Sequence, residues 1–212
     1  MTLEETLAQI KPLDKNAMDV AAKRWDSIAK PLHSLGKMEK LVIQIAGITG
    51  NPDMKIQKRA LVPMCADNGV VEEGVTQTGQ EVTAIVAENF LSGDTSACVM
   101  SRQCGTKVIP VDIGMAVDTK VSKELKVAYG TANMTKGPAM TRAQAVQALE
   151  AGIEMVRRLK EEGYGLLATG EMGIGNTTTS SAVVSVLLDR SVEEMTAVSY
   201  THLRAHETLM NL

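Results

Sequence analysis

Residues 166–188 read LLAT, then GEMGIGNTTT, then SSAVVSVLL: a short apolar run, a stretch with three glycines, and an apolar helix former. A strand, a glycine loop and a helix in direct succession commit this part of the chain to a parallel α/β arrangement, with ligands expected at the carboxyl end of the strand. Leu166 to Thr169 is predicted to be a buried parallel strand. Gly173 and Gly175 permit close backbone approach or positive φ, while Asn176, Thr177 and Thr178 offer amides and hydroxyls at a helix N-terminus, where the dipole favours an anion. A phosphate is the natural guest. The loop lacks the Gly-Lys-Ser/Thr of a Walker motif, and its Gly-x-Gly is too short for a dinucleotide fingerprint. A capped tight turn is the plain alternative. Glu171 would repel a phosphate, so it is expected to face a cationic or hydrogen-bond-donating part of a ligand; a solvated loop acid is its bland reading.

The same alternation extends upstream. Ala60 to Ala66 and Lys107 to Val111 are short apolar runs, separated by helical patterns over 80–92 and 94–104. Pro63 conflicts with a strand centre because it removes a ladder donor. A long helix is predicted from Thr141 to about Glu162, with a Thr141–Gln144 capping box and Gly163 at its end. The first fifty residues look helical throughout. Met18, Ala21, Ala22, Trp25 and Ile28 form one face, ended by Pro31; Met38, Leu41, Val42, Ile45 and Ala46 form another, with Gly47 as a stop.

Composition narrows the function. Of 212 residues, 44% are apolar and 22% charged, which suits a compact chain. One Trp, three Tyr and one Phe stand against 13 Met, so the core must be aliphatic and thioether, and stacking on nucleobases is a poor binding mode. With 22 Lys and Arg against 25 Asp and Glu, and no long run of either sign, no nucleic-acid or anionic-membrane footprint exists. The longest apolar runs, such as that around Ala182 to Leu188, fall far short of the roughly 20 residues of a membrane span. The amino terminus carries acids and a Thr2–Glu5 capping box instead of a secretory pattern, so a cytoplasmic location is expected. Cys65, Cys98 and Cys104 lack metal or disulfide spacing and are expected to be reduced and mostly buried. No metal site is expected.

Asp67 in CADNG and Asp112 in VDIG also stand at predicted strand ends. With Glu171 they suggest one cleft with three acids, although Asp before Gly is also ordinary turn chemistry. Gly130 to Met140, GTANMTKGPAM, is either a rigid ligand-facing loop carrying Asn133 or only a connection.

Taken in order, KPLHSLGKMEKL (30–41), CADNGV (65–70), EVTAI (81–85), VDIG (111–114), GTANMTKGPAMT (130–141) and GEMGIGNTT (170–178) resemble the nicotinate-nucleotide:dimethylbenzimidazole phosphoribosyltransferase family. The resemblance runs to about residue 197. It implies a Rossmann-like parallel sheet flanked by helices over 56–197, plus part of a small helical domain over 1–55, in a homodimer. It further implies transfer of ribose phosphate from nicotinate mononucleotide to 5,6-dimethylbenzimidazole, giving α-ribazole 5'-phosphate and nicotinate for cobalamin, without a cofactor. By position, Gly173, Gly175, Asn176, Thr177 and Thr178 resemble the nucleotide site, with Asp112 and Asn133 added as ligand-facing candidates. Thr78, Gln80, Val86 and Met172 resemble the benzimidazole wall, and Glu171 a supporting carboxylate. Val86 stands where the family often has Gln, which points to relaxed or shifted azole preference. Leu32 and His33 replace Pro and Gly of the N-terminal motif, and His33 is expected to pack or cap.

Family chains run to about 350 residues, in line with two domains, and the principal general-base glutamate lies in their C-terminal part, without a counterpart here. The chain alone is therefore expected to be inactive, with the stripe from Met38 to Ala46 exposed. A non-catalytic phosphate-ligand binding module is the alternative from another class, and a non-folding fragment a third. Val198 to Leu212, VSYTHLRAHETLMNL, continues no earlier pattern and looks like read-through of a sequencing-library adaptor. Its His202–His206 pair then carries no metal chemistry, and lacks a third ligand in any case.

Overall fold

The computed structural model describes residues 1–196. The expectations for Val198 to Leu212, including the His pair, lie outside the described residues. Three helices lead the chain: α1 (Leu3–Ala8), α2 (Lys15–Ser27) and α3 (Lys37–Thr49). The first fifty residues are thus helical in three pieces, because the chain turns between them. The Thr2–Glu5 box caps α1 and Asp14 caps α2 by accepting from the Ala17 amide. The turn after α2 is tied down by Glu39, which is buried, accepts from the Leu35 amide at 3.1 Å and lies 2.8 Å from Lys30 Nζ. Gly47 does not stop α3, which runs on to a left-handed Gly50 at φ 64°. A Cβ at Gly47 would lie 2.7 Å from Met18 Cγ, so this glycine serves close helix packing instead. Ala46 is fully buried there while Met38 and Leu41 stay exposed, so the α3 stripe is covered only at one end.

The sheet follows: β1 (Arg59–Ala66), β2 (Thr106–Val108), β3 (Val111–Gly114) and β4 (Leu166–Met172), all parallel. Between them lie a 3₁₀ segment Gly69–Glu73, α4 (Glu81–Ser92), α5 (Ser96–Gln103) and α6 (Arg142–Glu161); α7 (Asn176–Leu188) and α8 (Val192–Met195) come last. β2 and β3 pair successive parts of β1, and β4 also pairs with β1. Pro63 fits because the ladder has a gap at its level: Leu61 pairs with Val108 and Met64 with Val111, leaving Val62 and Pro63 opposite Ile109 and Pro110. The missing donor thus falls where β1 pairs with neither β2 nor β3, while Pro63 stays in register with Gly170 of β4.

Alternation along β1 sends side chains to two cores. Ala60 and Val62 pack with Val111, Leu159 and Tyr164, joined by Met64 and Met155, which brings α6 onto that face. Cys65 packs with Ala87, Met115 and Val121, joined by Phe90 and Met172, which brings α4 into the second cluster. The structure is a parallel sheet flanked by helices, with thioethers filling much of both cores. Cys65 and Cys98 are buried and Cys104 is exposed. The Thr141–Gln144 box starts α6. β4 corrects the sequence reading twice. It extends to Met172, so Gly170, Glu171 and Met172 are strand and not loop, and it is mostly exposed, because among the described residues it pairs only with β1. No helix of the described residues is long and apolar enough to cross a membrane.

Candidate functional site

The carboxyl end of the sheet gathers the segments after β1, β3 and β4. Cys65 is in register with Asp112 and with Met172, and Met64 with Glu171, so the three acids do stand at one end. They do not share one cleft. Asp112 is fully buried; its Oδ1 accepts from the Gly114 and Met115 amides at 3.1 and 2.9 Å, and its Oδ2 lies 3.0 Å from Lys126 Nζ. Asp67, also buried, accepts from the Ala116 amide at 2.7 Å. Both carboxylates organise the turn after β3, as Asp does in turn chemistry. Cys65 sits among these charges; burial above all, then Asp112 and Glu171, pushes its thiol up to about 12. It is no nucleophile at neutral pH.

Glu171 alone remains open. It keeps solvent access at the strand end, yet the surrounding chain desolvates it enough to raise its carboxyl above the ordinary range, against the lowering effect of the Asn176 side-chain amide that donates to it. Its carboxyl reaches over the glycine loop, where a Cβ on Gly173 would lie 2.7 Å from Oε1, while the residue as a whole stays exposed.

Beyond β4 the chain makes the glycine loop. Gly173 lies so close to β1 that a Cβ would meet the Ala66 carbonyl oxygen at 2.2 Å, and Gly175 takes φ 86° as the N-cap of α7. No side chain caps that helix. The Asn176 amide bonds back to the Gly173 carbonyl at 3.1 Å, so the first-turn amides of Thr177 and Thr178 are the ones left for an outside acceptor. Thr177 is exposed, and Asn176 and Thr178 are half-buried. A cavity of about 260 Å³, lined by Asn176, Thr177, Ser180, Ser181, Val184 and Met195, runs along the start of α7.

Three residues that the sequence did not single out shape this loop. Buried Thr83 accepts the Ile174 amide at 3.1 Å, buried Asn68 donates from Nδ2 to the Ile174 carbonyl at 3.1 Å, and Thr179 donates to Asn68 Oδ1 at 2.9 Å. The available signal was slight: an Asn-Gly pair after a strand and a threonine on the core side of a helix.

The wall candidates divide. Gln80 donates from Nε2 to the Asn68 carbonyl at 3.0 Å, so its amide braces the site. Thr78 is exposed, Val86 is half-buried on α4, and Met172 packs into the Cys65 cluster. Asn133 is buried and donates to Glu73 at 2.6 Å, while Lys136 pairs with Glu72 at 2.8 Å. Both carboxyls are held below their ordinary range, Glu73 chiefly by Asn133 and Glu72 chiefly by Lys136. The 130–140 segment is therefore a strap fastened to the 3₁₀ segment. An apolar cavity of about 110 Å³ between β3, the strap and α6 is lined by no ionisable group. Among the described residues no cluster of His, Cys, Asp and Glu could hold a metal ion.

The chain is similar to known proteins in sequence and in fold. A phosphoribosyltransferase family model matches residues 10–205, a span that runs past Ala197. The chain belongs to this family. It is 52% identical over 187 residues to the nicotinate-nucleotide–dimethylbenzimidazole phosphoribosyltransferase of Clostridium tetani, covering 87% of this chain and 52% of that one. The enzyme of that name from Ruminiclostridium cellulolyticum is 49% identical over 197 residues, covering 92% and 56%. A crystal structure of the enzyme from Thermus thermophilus superposes with a TM-score of 0.79 at 33% identity, over 90% of this chain and 63% of that one. The chain spans about half the length of the curated relatives it matches.

Proposed function

We propose that this chain provides the nucleotide-phosphate half-site of an enzyme that transfers phosphoribose from nicotinate mononucleotide to 5,6-dimethylbenzimidazole. The observation that carries the reading is the glycine loop: an uncapped α7 opening on Thr177 and Thr178 amides beside Glu171, in a chain so similar to enzymes named for those substrates. The bond from the ribose anomeric carbon to the pyridinium nitrogen breaks, and a bond from the same carbon to an imidazole nitrogen of the benzimidazole forms. Nicotinate leaves neutral at its ring nitrogen, so no general acid is needed. The products are α-ribazole 5'-phosphate and nicotinate, used in assembling the nucleotide loop of cobalamin.

The benzimidazole proton must go to a carboxylate. Glu171, with its raised pKa, supports that step as a nearby acceptor, while the principal base is assigned to the part of the relatives' length that this match does not span. Thr78, Val86 and Met172 are assigned to the azole side, and Gly173, Gly175, Asn176, Thr177 and Thr178 to the phosphate and ribose. Asp112, Gln80 and Asn133 enter this reading as supports of the loops. The enzyme is further proposed to be cytoplasmic and homodimeric, with small-molecule partners only.

Calorimetry of residues 1–212 with nicotinate mononucleotide tests the reading: specific binding that inorganic phosphate displaces is expected, with no measurable product when dimethylbenzimidazole is added. A general base alone is worth about 10²–10⁴-fold, and lost orientation more. A folded chain that fails to bind the mononucleotide overturns the half-site; rapid α-ribazole phosphate formation overturns the assignment of the base.

A further inference from the structure

We infer that Asn68 is a positioning residue, a shared reference point that holds the glycine loop, the start of α7 and the start of α4 in one arrangement. It stands two residues past the end of β1, in a backbone already fixed on both sides: the Asp67 amide donates to the Gly114 carbonyl at 2.9 Å, and the Gly69 amide donates to Thr131 Oγ1 at 3.0 Å. From that fixed base its buried amide reaches two ways. Nδ2 donates to the Ile174 carbonyl at 3.1 Å and Oδ1 accepts from Thr179 Oγ1 at 2.9 Å. Its main-chain carbonyl takes Gln80 Nε2 at 3.0 Å.

An amide side chain meets this demand, since one end donates and the other accepts. The Ile174 carbonyl and the Thr179 hydroxyl lie on the loop and on the first turns of α7, on either side of Gly175. Clamping both sets the direction in which the Thr177 and Thr178 amides point. Asp at this position would keep the Thr179 bond and set a carboxylate oxygen against the Ile174 carbonyl.

The assignment rests on the proposed function only for its ligand arm. Without ligand, amide exchange is expected to be about tenfold faster at Ile174 in both Asn68→Ala and Asn68→Asp, and at Thr179 in Asn68→Ala only, the loss of one hydrogen bond at each place, with β1 amides at Ala60 and Val62 unchanged. Thr179→Val should reproduce the effect at Thr179, and Thr179→Ser, which keeps the hydroxyl, should not. With ligand, the Kd for nicotinate mononucleotide should rise about tenfold in Asn68→Ala. Wild-type exchange in the loop of the variants, or an equal acceleration in β1 and loop, overturns the role. Should Asn68→Ala fail to fold, the Val and Ser variants at Thr179 decide by the same criterion. A wild-type chain that does not bind the mononucleotide overturns the proposed function, and the ligand-free rates still decide the role of Asn68.

Discussion

His33 carries φ 58° on an exposed side chain, a left-handed conformation that favours glycine. A left-handed residue with a Cβ costs about 1–2 kcal/mol, and glycine gives back about 0.5–1 kcal/mol in unfolded-state entropy. Its 3.8 Å approach to Glu39 is too exposed to offset the difference. His33→Gly should therefore raise stability by about 0.5 kcal/mol, measured by urea unfolding; a loss would mean that the imidazole does more than cap. Glu171 gives a prediction in pH. Desolvation raises its folded pKa above the unfolded value, so between the two values the native state binds more protons and stability falls as pH rises. The penalty is absent below about pH 4 and complete once the folded carboxyl is ionised. Glu171→Gln keeps an oxygen for Asn176 and removes the charge. Its melting temperature should equal wild type near pH 4 and exceed it at pH 7–8; a gain that is constant with pH would place the effect elsewhere.

At the scale of elements, periodicity and end signals located most of the secondary structure, because they are local properties. The Thr141–Gln144 box and the apolar stripe of α6 needed no tertiary knowledge, and neither did the strand–loop–helix order of β4 and α7. Gly47 misled because helix packing and helix termination both use glycine, and only the distance to Met18 separates them. Asp67 and Asp112 misled in the same way: position at a strand end was legible, whereas the direction of the carboxylate depends on amides from Gly114, Met115 and Ala116 that fold back onto it. Asn68 was out of reach because its partners are more than 100 residues away. Pro63 shows what the strand gained. It fills a buried position where the β1 ladder has no partner on one side. Pro63→Ala should thus lower stability by about 1 kcal/mol, through a freer unfolded chain and a lost ring, despite restoring a strand donor. A stabilised variant in urea unfolding would show that the restored donor outweighs the ring.

Across the whole molecule the least ordinary surface is α7, which is patterned inside out. Its buried residues are Ser181 and Ser185, while Val186, Leu187 and Leu188 are 82%, 75% and 61% exposed. The serines lie on its covered side, and its outward side carries aliphatic surface. Apolar patches of this kind drive association, and excluded salts such as sulfate strengthen that tendency. Light scattering of residues 1–212 should rise with protein concentration and with ammonium sulfate. Val186→Glu with Leu187→Glu places two charges at the most exposed positions of the patch and should suppress the scattering. Because both side chains already face water, the urea midpoint should move by no more than about 0.5 kcal/mol equivalent. Scattering that persists in the double variant would move the association to another surface, with Met38 and Leu41 on α3 the next to substitute; a large loss of stability would mean that this face is packed in solution.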